Sequence, residues 1–192
     1  MVASLVVLNA APEAFAEVWR FRLIPEDSLV SARVKDPFGN PVRGILQLRQ
    51  GEARGDLTRL LDSAAVELTI EAASYDSDLG LRDQDIQENH LEVKQYPRIR
   101  FESTGIVKIE TPSSQDEPWF VTLKGRLELH GVKREIVIPF RLLYQANKII
   151  AQGQFRFLLE EFKIAVPRLL FLQADNEVVV EFRIIGERQS KK

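Results

Sequence analysis

Few side chains in this chain are equipped for chemistry, and their spacing limits what they can do. Cysteine is absent and His90 and His130 are the only histidines, which leaves no thiol nucleophile, no disulfide and too few ligands for a histidine or thiolate metal cage. The carboxylates Glu160 and Glu161 are neighbours along the chain rather than partners facing across a cleft, so they make no acid–base pair. No phosphate loop, nucleophile elbow or zinc helix is present. The expectation is a protein that is not an enzyme and uses no metal and no cofactor. The densest polar constellation is Asp76, Asp78, Arg82 and Asp83. The Arg82 guanidinium has the fork geometry to anchor a phosphate or carboxylate head group, with Asp83 beside it. Alternatively, the pair belongs to an ion-pair network that caps a helix. His90 carries the same choice, a donor to a head group at a cavity mouth or an incidental helix residue. His130, followed by Gly131, reads as a turn residue.

The elements that must position these residues are mostly strands. Val66, Leu68, Ile70 and Ala72 alternate with Glu67, Thr69 and Glu71, the period of a strand with one dry face. An acidic helical segment, LRDQDIQENHLEVKQYP, interrupts the pattern. Ile99, Phe101, Ser103, Gly105, Val107 and Ile109 then resume it. Further alternating segments are predicted over 18–24 and 29–35, as a hairpin or one bent strand around Pro25–Ser28, and over 42–50, 119–129, 132–145, 148–157 and 178–185. A single helical turn is predicted over 56–61. Strands in consecutive hairpin order with one inserted helix predict a mainly β fold, an antiparallel eight-stranded barrel. A barrel of that size is either filled by its own side chains or just wide enough for one small ligand. The inward stripe of Phe101, Val121, Leu123, Leu127, Ile136, Ile138, Phe140, Phe155, Phe157 and Phe182 is accordingly a packed core or the lining of an apolar lumen. Small inward residues such as Gly125 and Gly153 leave room for a guest or accommodate bulky neighbours.

The chain of 192 residues is 45% hydrophobic, which suits one globular domain. Its 26 basic and 28 acidic residues are interspersed and leave a net charge of -2, with no footprint for a nucleic-acid backbone. Residues 1–16 hold an apolar stretch from Val2 to Leu8 and end in Ala14-Phe15-Ala16, a cleavage-site pattern without the usual basic start. They are read as a signal peptide, which would make the protein periplasmic or secreted, or else as a lead-in to a cytoplasmic domain. The barrel domain is placed at 17–186 and a polar tail at 187–192. The apolar run Leu169-Leu170-Phe171-Leu172, behind Arg168, is a lid or a patch touching a membrane surface transiently, with Lys163 and Arg168 toward anionic head groups, or else the start of a buried strand. No apolar run is long enough to span a bilayer as a helix. The oligomeric state is left open, with a homodimer among the alternatives.

Two stretches carry a resemblance. Ser74-Tyr75-Asp76, Leu81-Arg82-Asp83 and Tyr96-Pro97-Arg98-Ile99-Arg100-Phe101-Glu102-Ser103-Thr104 resemble the signature of the YceI-like family, in which a strand ending in an S-I-D type tripeptide leads to an R-D helix and then to Y-P-x-x-x-F-x-S-T. The second stretch, Gly125-Arg126-Leu127-Glu128-Leu129-His130-Gly131-Val132-Lys133 with Pro139 after it, resembles that family too. The likeness covers roughly Val18 to Ile185. It implies a lipocalin-like barrel whose elongated apolar lumen holds a polyisoprenoid or other long-chain amphiphilic lipid without covalent chemistry, usually in an exported bacterial protein. The competing expectation is a side-chain-filled barrel acting as a periplasmic stress or protein-interaction factor. The chain departs from the signature where His90-Leu91 stands for a paired aromatic. It departs again where Lys163 takes the glycine position of an R-x-D-F-G-I type turn, a position favouring a residue that reaches positive φ.

Overall fold

The structure, a computed structural model, describes residues 18–56, 59–114 and 117–189. Its strands are β1 (Val18–Leu23), β2 (Leu29–Lys35), β3 (Pro41–Asp56), β4 (Ala65–Asp76), β5 (Arg98–Glu110), β6 (Trp119–Leu129), β7 (Val132–Gln145), β8 (Lys148–Leu158), β9 (Arg168–Leu169), β10 (Leu172–Gln173) and β11 (Glu177–Arg188). Strands β2 through β8 pair in sequence order, and β11 closes the ring by pairing with both β8 and β2, so the eight-stranded antiparallel barrel is shut. The lipocalin-like architecture expected from the sequence is the one observed. Closure leaves no long unpaired edge.

The first two strands are one bent strand and not a hairpin. β1 and β2 lie in the same lane between β3 and β11, with Phe21 opposite Ala53 and Arg188, and Val30 opposite Leu46 and Phe182. Proline at 25 cannot donate to the ladder, and Ser28 repairs the break: its hydroxyl donates to the Ile24 carbonyl at 2.7 Å and accepts the Ile185 N–H at 3.0 Å. β3 continues well past Gln50 because Gly51, Ala53 and Gly55 hide the alternation. At Gly51 the small size is required, since a Cβ there would stand 2.6 Å from Leu23 Cδ1. β11 likewise runs to Arg188, beyond the expected end at Ile185.

β5 departs from a simple period of two. Register shifts between Ser103 and Gly105 and between Ile106 and Lys108 rotate the strand, so Ile106 points inward while Val107, expected on the dry face, is exposed. Ser103 replaces the interrupted pairing by accepting the Val66 N–H at 2.7 Å. Among the described residues helical structure is limited to a turn α1 (Leu60–Ser63), the insert α2 (Gly80–Asp85) continued by a π turn (Ile86–His90), and a 3-10 turn (Leu159–Phe162). The insert stops well short of Pro97, and Glu92 takes a φ of 47° just beyond it. The strand registers place the β2–β3 turn, the α2 insert, the His130–Gly131 turn and the 159–176 segment together at one end of the barrel, called here the insert end. α1 and the β7–β8 turn lie at the other. Among the described residues no helix is long and apolar enough to cross a membrane.

Candidate functional site

The barrel interior holds a cavity of about 400 Å³ whose lining is almost wholly apolar. The lining residues run from Trp19, Trp119, Leu142 and Tyr144 at the α1 end to Tyr75, Leu91, Ile164 and Pro167 at the insert end, so the space is elongated along the barrel axis. Two clusters of buried side chains wall it, one around Leu23, Leu46, Ile70, Val180 and Ile184, the other around Phe101, Leu123, Leu127, Ile138 and Phe162. At the α1 end Trp19 stacks on Tyr144 with ring centroids 5.1 Å apart, and the Arg188 guanidinium lies 5.3 Å from the Trp19 ring.

Of the ten apolar residues singled out from the sequence, nine line this cavity: Phe101, Val121, Leu123, Leu127, Ile138, Phe140, Phe155, Phe157 and Phe182. Ile136 does not. It is partly buried at the edge of the second cluster, opposite Gly125. The stripe also omitted the wall formed by Phe21, Leu23, Val30, Leu46, Leu68 and Ile70. Its signal was available, since those positions alternate as the others do. The small inward residues do not make the space. A Cβ on Gly125 would lie 2.4 Å from Phe101 Cζ and 2.7 Å from the Glu102 carbonyl oxygen. On Gly153 it would lie 2.6 Å from the Pro139 carbonyl oxygen and 2.7 Å from Phe140 Cβ. These glycines let neighbouring rings lie flat across the strand, so a large side chain at either position displaces the wall before it fills the lumen.

The polar candidates gather at the insert end with different roles. Arg82 donates from Nε to Ser77 Oγ at 2.7 Å and from Nη2 to the Ser77 carbonyl at 2.8 Å. Asp83, buried, accepts the Ser77 N–H at 3.0 Å and the Ser77 hydroxyl. Neither residue is part of the cavity lining. The pair closes a knot that fixes the insert to the end of β4, which Gln87 reinforces by donating to the Tyr75 carbonyl at 2.9 Å. Tyr75 itself faces the lumen, and burial pushes its phenol above the ordinary value, with Arg82 and Ser77 opposing and Asp83 adding to the shift. In the β2–β3 turn desolvation acts to raise the Asp36 carboxyl, but bonds from the Asn40 and Phe38 N–H groups and the Asn40 side chain, with the Arg82 charge, outweigh it and hold it below the usual carboxylate value.

His90 does reach the lumen. Its Nδ1–H donates to the Ala165 carbonyl at 2.7 Å, and its Nε2 stands 3.6 Å from an Asp85 carboxylate oxygen. His130 is more than a turn residue. Its Nδ1 is 3.2 Å from the Phe162 carbonyl, its Nε2 is 2.7 Å from Glu92, and its ring meets Tyr96 at a centroid distance of 4.5 Å. Sequence spacing gave no hint of this, because its partners come from distant segments. Both histidines thus tie the 159–167 segment to the insert and its exit loop, and together with Leu91, Ile164 and Pro167 they form the cover of that end. Among the described residues no group of histidine and carboxylate side chains is arranged to hold a metal ion.

A barrel of this topology around an apolar cavity agrees with the family match, which is to the YceI-like domain over residues 21–185. The chain belongs to the YceI-like domain family. Several YceI-like and related structures share its fold. BcnA of Burkholderia cenocepacia superposes with a TM-score of 0.69 at 19% identity, covering 85% of this chain and 98% of BcnA. A polyisoprenoid binding domain from Saccharophagus degradans, implicated in plant cell wall breakdown, gives a TM-score of 0.69 at 14% identity, covering 88% of this chain and 98% of that domain. The YceI protein of Campylobacter jejuni gives 0.56 at 18% identity, covering 75% and 84%. No curated protein sequence matches the chain. In this YceI-like domain the two signature stretches touch: Tyr96 lies over the His130–Gly131 turn, where a Cβ on Gly131 would be 2.6 Å from Tyr96 Cε1. Lys163, at the glycine position of the signature, keeps the left-handed conformation with φ 57° and ψ 27°.

Proposed function

We propose that this YceI-like barrel sequesters or carries a polyisoprenoid or similar long-chain amphiphilic lipid in its lumen, by non-covalent binding and without catalysis. The observation that carries the reading is the elongated apolar cavity, continuous from the Trp19–Tyr144 end to the Pro167 end. An apolar chain there gains about 25 cal/mol per Å² of surface removed from water, and a closed barrel removes most of that surface. The polyisoprenoid-binding character of the Saccharophagus degradans domain supports the same ligand class. The cavity also weighs against the side-chain-filled alternative. The ten-residue apolar stripe contributes nine members of the ligand surface, and His90 and Tyr75 are polar members of it at the insert end. Arg82 and Asp83 support the cover and do not grip a head group. The Ala14-Phe15-Ala16 pattern favours action in the periplasm or outside the cell, although residues 1–16 lie outside the described residues.

Native mass spectrometry tests the proposal, using the purified protein with and without farnesol as a prenyl probe. Bound lipid or farnesol uptake is expected. Ala151→Phe and Ala53→Phe, which grow rings into the lumen from two different strands, should abolish uptake while circular dichroism shows the sheet intact. A clean apo mass with no uptake, or undiminished uptake in both folded variants, would overturn the reading.

A further inference from the structure

The insert end of the barrel carries large apolar side chains that the fold leaves in water. Phe38 on the β2–β3 turn is 66% exposed, Leu81 at the start of the insert 82%, and Leu170 and Phe171 on the β9–β10 tip 88% and 90%. Of the two readings of 169–172, the start of a buried strand is the one that fails. Leu169 pairs with Leu172 in a two-stranded hairpin whose tip turns at Leu170 with a φ of 55°. A left-handed leucine is sterically costly, and here it serves to project two apolar side chains outward.

These tips stand on separate loops that lie close together. Asp175 donates its N–H to the Lys35 carbonyl at 2.9 Å, which joins the hairpin segment to the end of β2, and Arg82, next to Leu81, acts electrostatically on Asp36 in the β2–β3 turn. Their charged neighbours are more acidic than basic, Asp36, Asp78, Asp83, Asp85 and Asp175 against Lys35, Arg82, Lys163 and Arg168, so no basic excess is there to draw an anionic surface. A contiguous flat apolar face would suit a second protein. Isolated protruding tips without a basic excess around them suit a soft apolar partner that closes around each of them and presents no anionic charge to attract. The hairpin is also joined to the lumen along the chain, because the segment that lines it at Ile164 and Pro167 runs directly into Leu169 and Leu170.

We infer that the insert end docks on the surface of a neutral lipid bilayer, with Leu170 and Phe171 as the deepest anchors and Phe38 and Leu81 beside them. The inference rests on the lumen reading for its purpose, loading or unloading a guest, and on the exposed tips for its geometry. Docking by apolar insertion is insensitive to salt, in contrast to attraction by the basic residues alone.

Flotation with phosphatidylcholine vesicles tests it. The wild type is expected to float with the vesicles equally at low and high salt. The double variant Leu170→Asp with Phe171→Asp is expected to partition at least about tenfold more weakly, as follows from removing two apolar anchors. Its melting curve and its farnesol uptake from a cyclodextrin solution should be unchanged. Wild-type protein that stays with the aqueous fraction, or a double variant that floats as well as the wild type, would overturn the inference. So would a wild-type dimer in sedimentation that the double variant turns into a monomer with flotation unaffected, since the tips would then cover a second copy. Flotation that depends on the tips in a protein taking up no farnesol would support docking and sink the lumen reading by itself.

Discussion

At Lys163 the backbone enters the left-handed region, with φ 57° and ψ 27°, where the family signature has glycine. Its N–H still reaches the Glu160 carbonyl at 3.0 Å, and the next residue, Ile164, is buried against the second core cluster. The exposed lysine side chain contributes no compensating contact that the structure shows. Lys163→Gly should therefore raise stability by about 1 kcal/mol, the left-handed penalty less the extra chain entropy of glycine. Urea unfolding measures it, and a lowered midpoint would mean that the lysine stem stabilises the turn in a way not visible here. Residue types alone supported two uses for each inward glycine. Only the positions of Phe101 over Gly125 and Phe140 beside Gly153 decide that both glycines serve packing.

The α2 insert and its π turn are too short to hold together by helix propensity, and neither has a side-chain cap. Tertiary bonds hold them: Ser77 between Arg82 and Asp83, Gln87 to Tyr75, and His90 to Ala165. Asp83→Ala should leave the buried Ser77 N–H and hydroxyl without their acceptor, at a cost of about 1–3 kcal/mol. Hydrogen exchange should then quicken across residues 80–90 while the strand amides of β6 and β7 stay protected. Exchange that rises uniformly over the barrel would show that the knot supports the whole fold and not the cover alone. Strands were the most legible elements, since Trp119–Leu129 alternates without interruption and ends in a His130–Gly131 turn with positive φ at both residues. Less legible were the end of β3, where small residues mask the period, and the bulges of β5, which exchange Ile106 for Val107 on the inner face. A bulge is a response to the partner strand, so a single strand's sequence does not announce it.

For the molecule as a whole, a ligand that binds only the closed barrel must stabilise it by mass action, by about 2.7 kcal/mol at a free concentration one hundred times its Kd. A prenyl or acyl probe should accordingly raise the Tm in proportion to the logarithm of its concentration, and the Ala151→Phe variant should show no such rise. Calorimetry with matched wild-type and variant protein checks this. An equal rise in both would point to binding on the outer surface. The sequence by itself determined the mainly β class, the order of the barrel strands and most of the residues that face inward, because alternation is a local property of each strand. The signature stretches added the family. Tertiary structure alone decided that the inward faces enclose a cavity instead of meeting, that Arg82 and Asp83 grip Ser77, that two histidines clasp the cover, and that Leu170 and Phe171 stand in water. Each of these depends on the distance between segments far apart in the chain, and no local pattern encodes that distance.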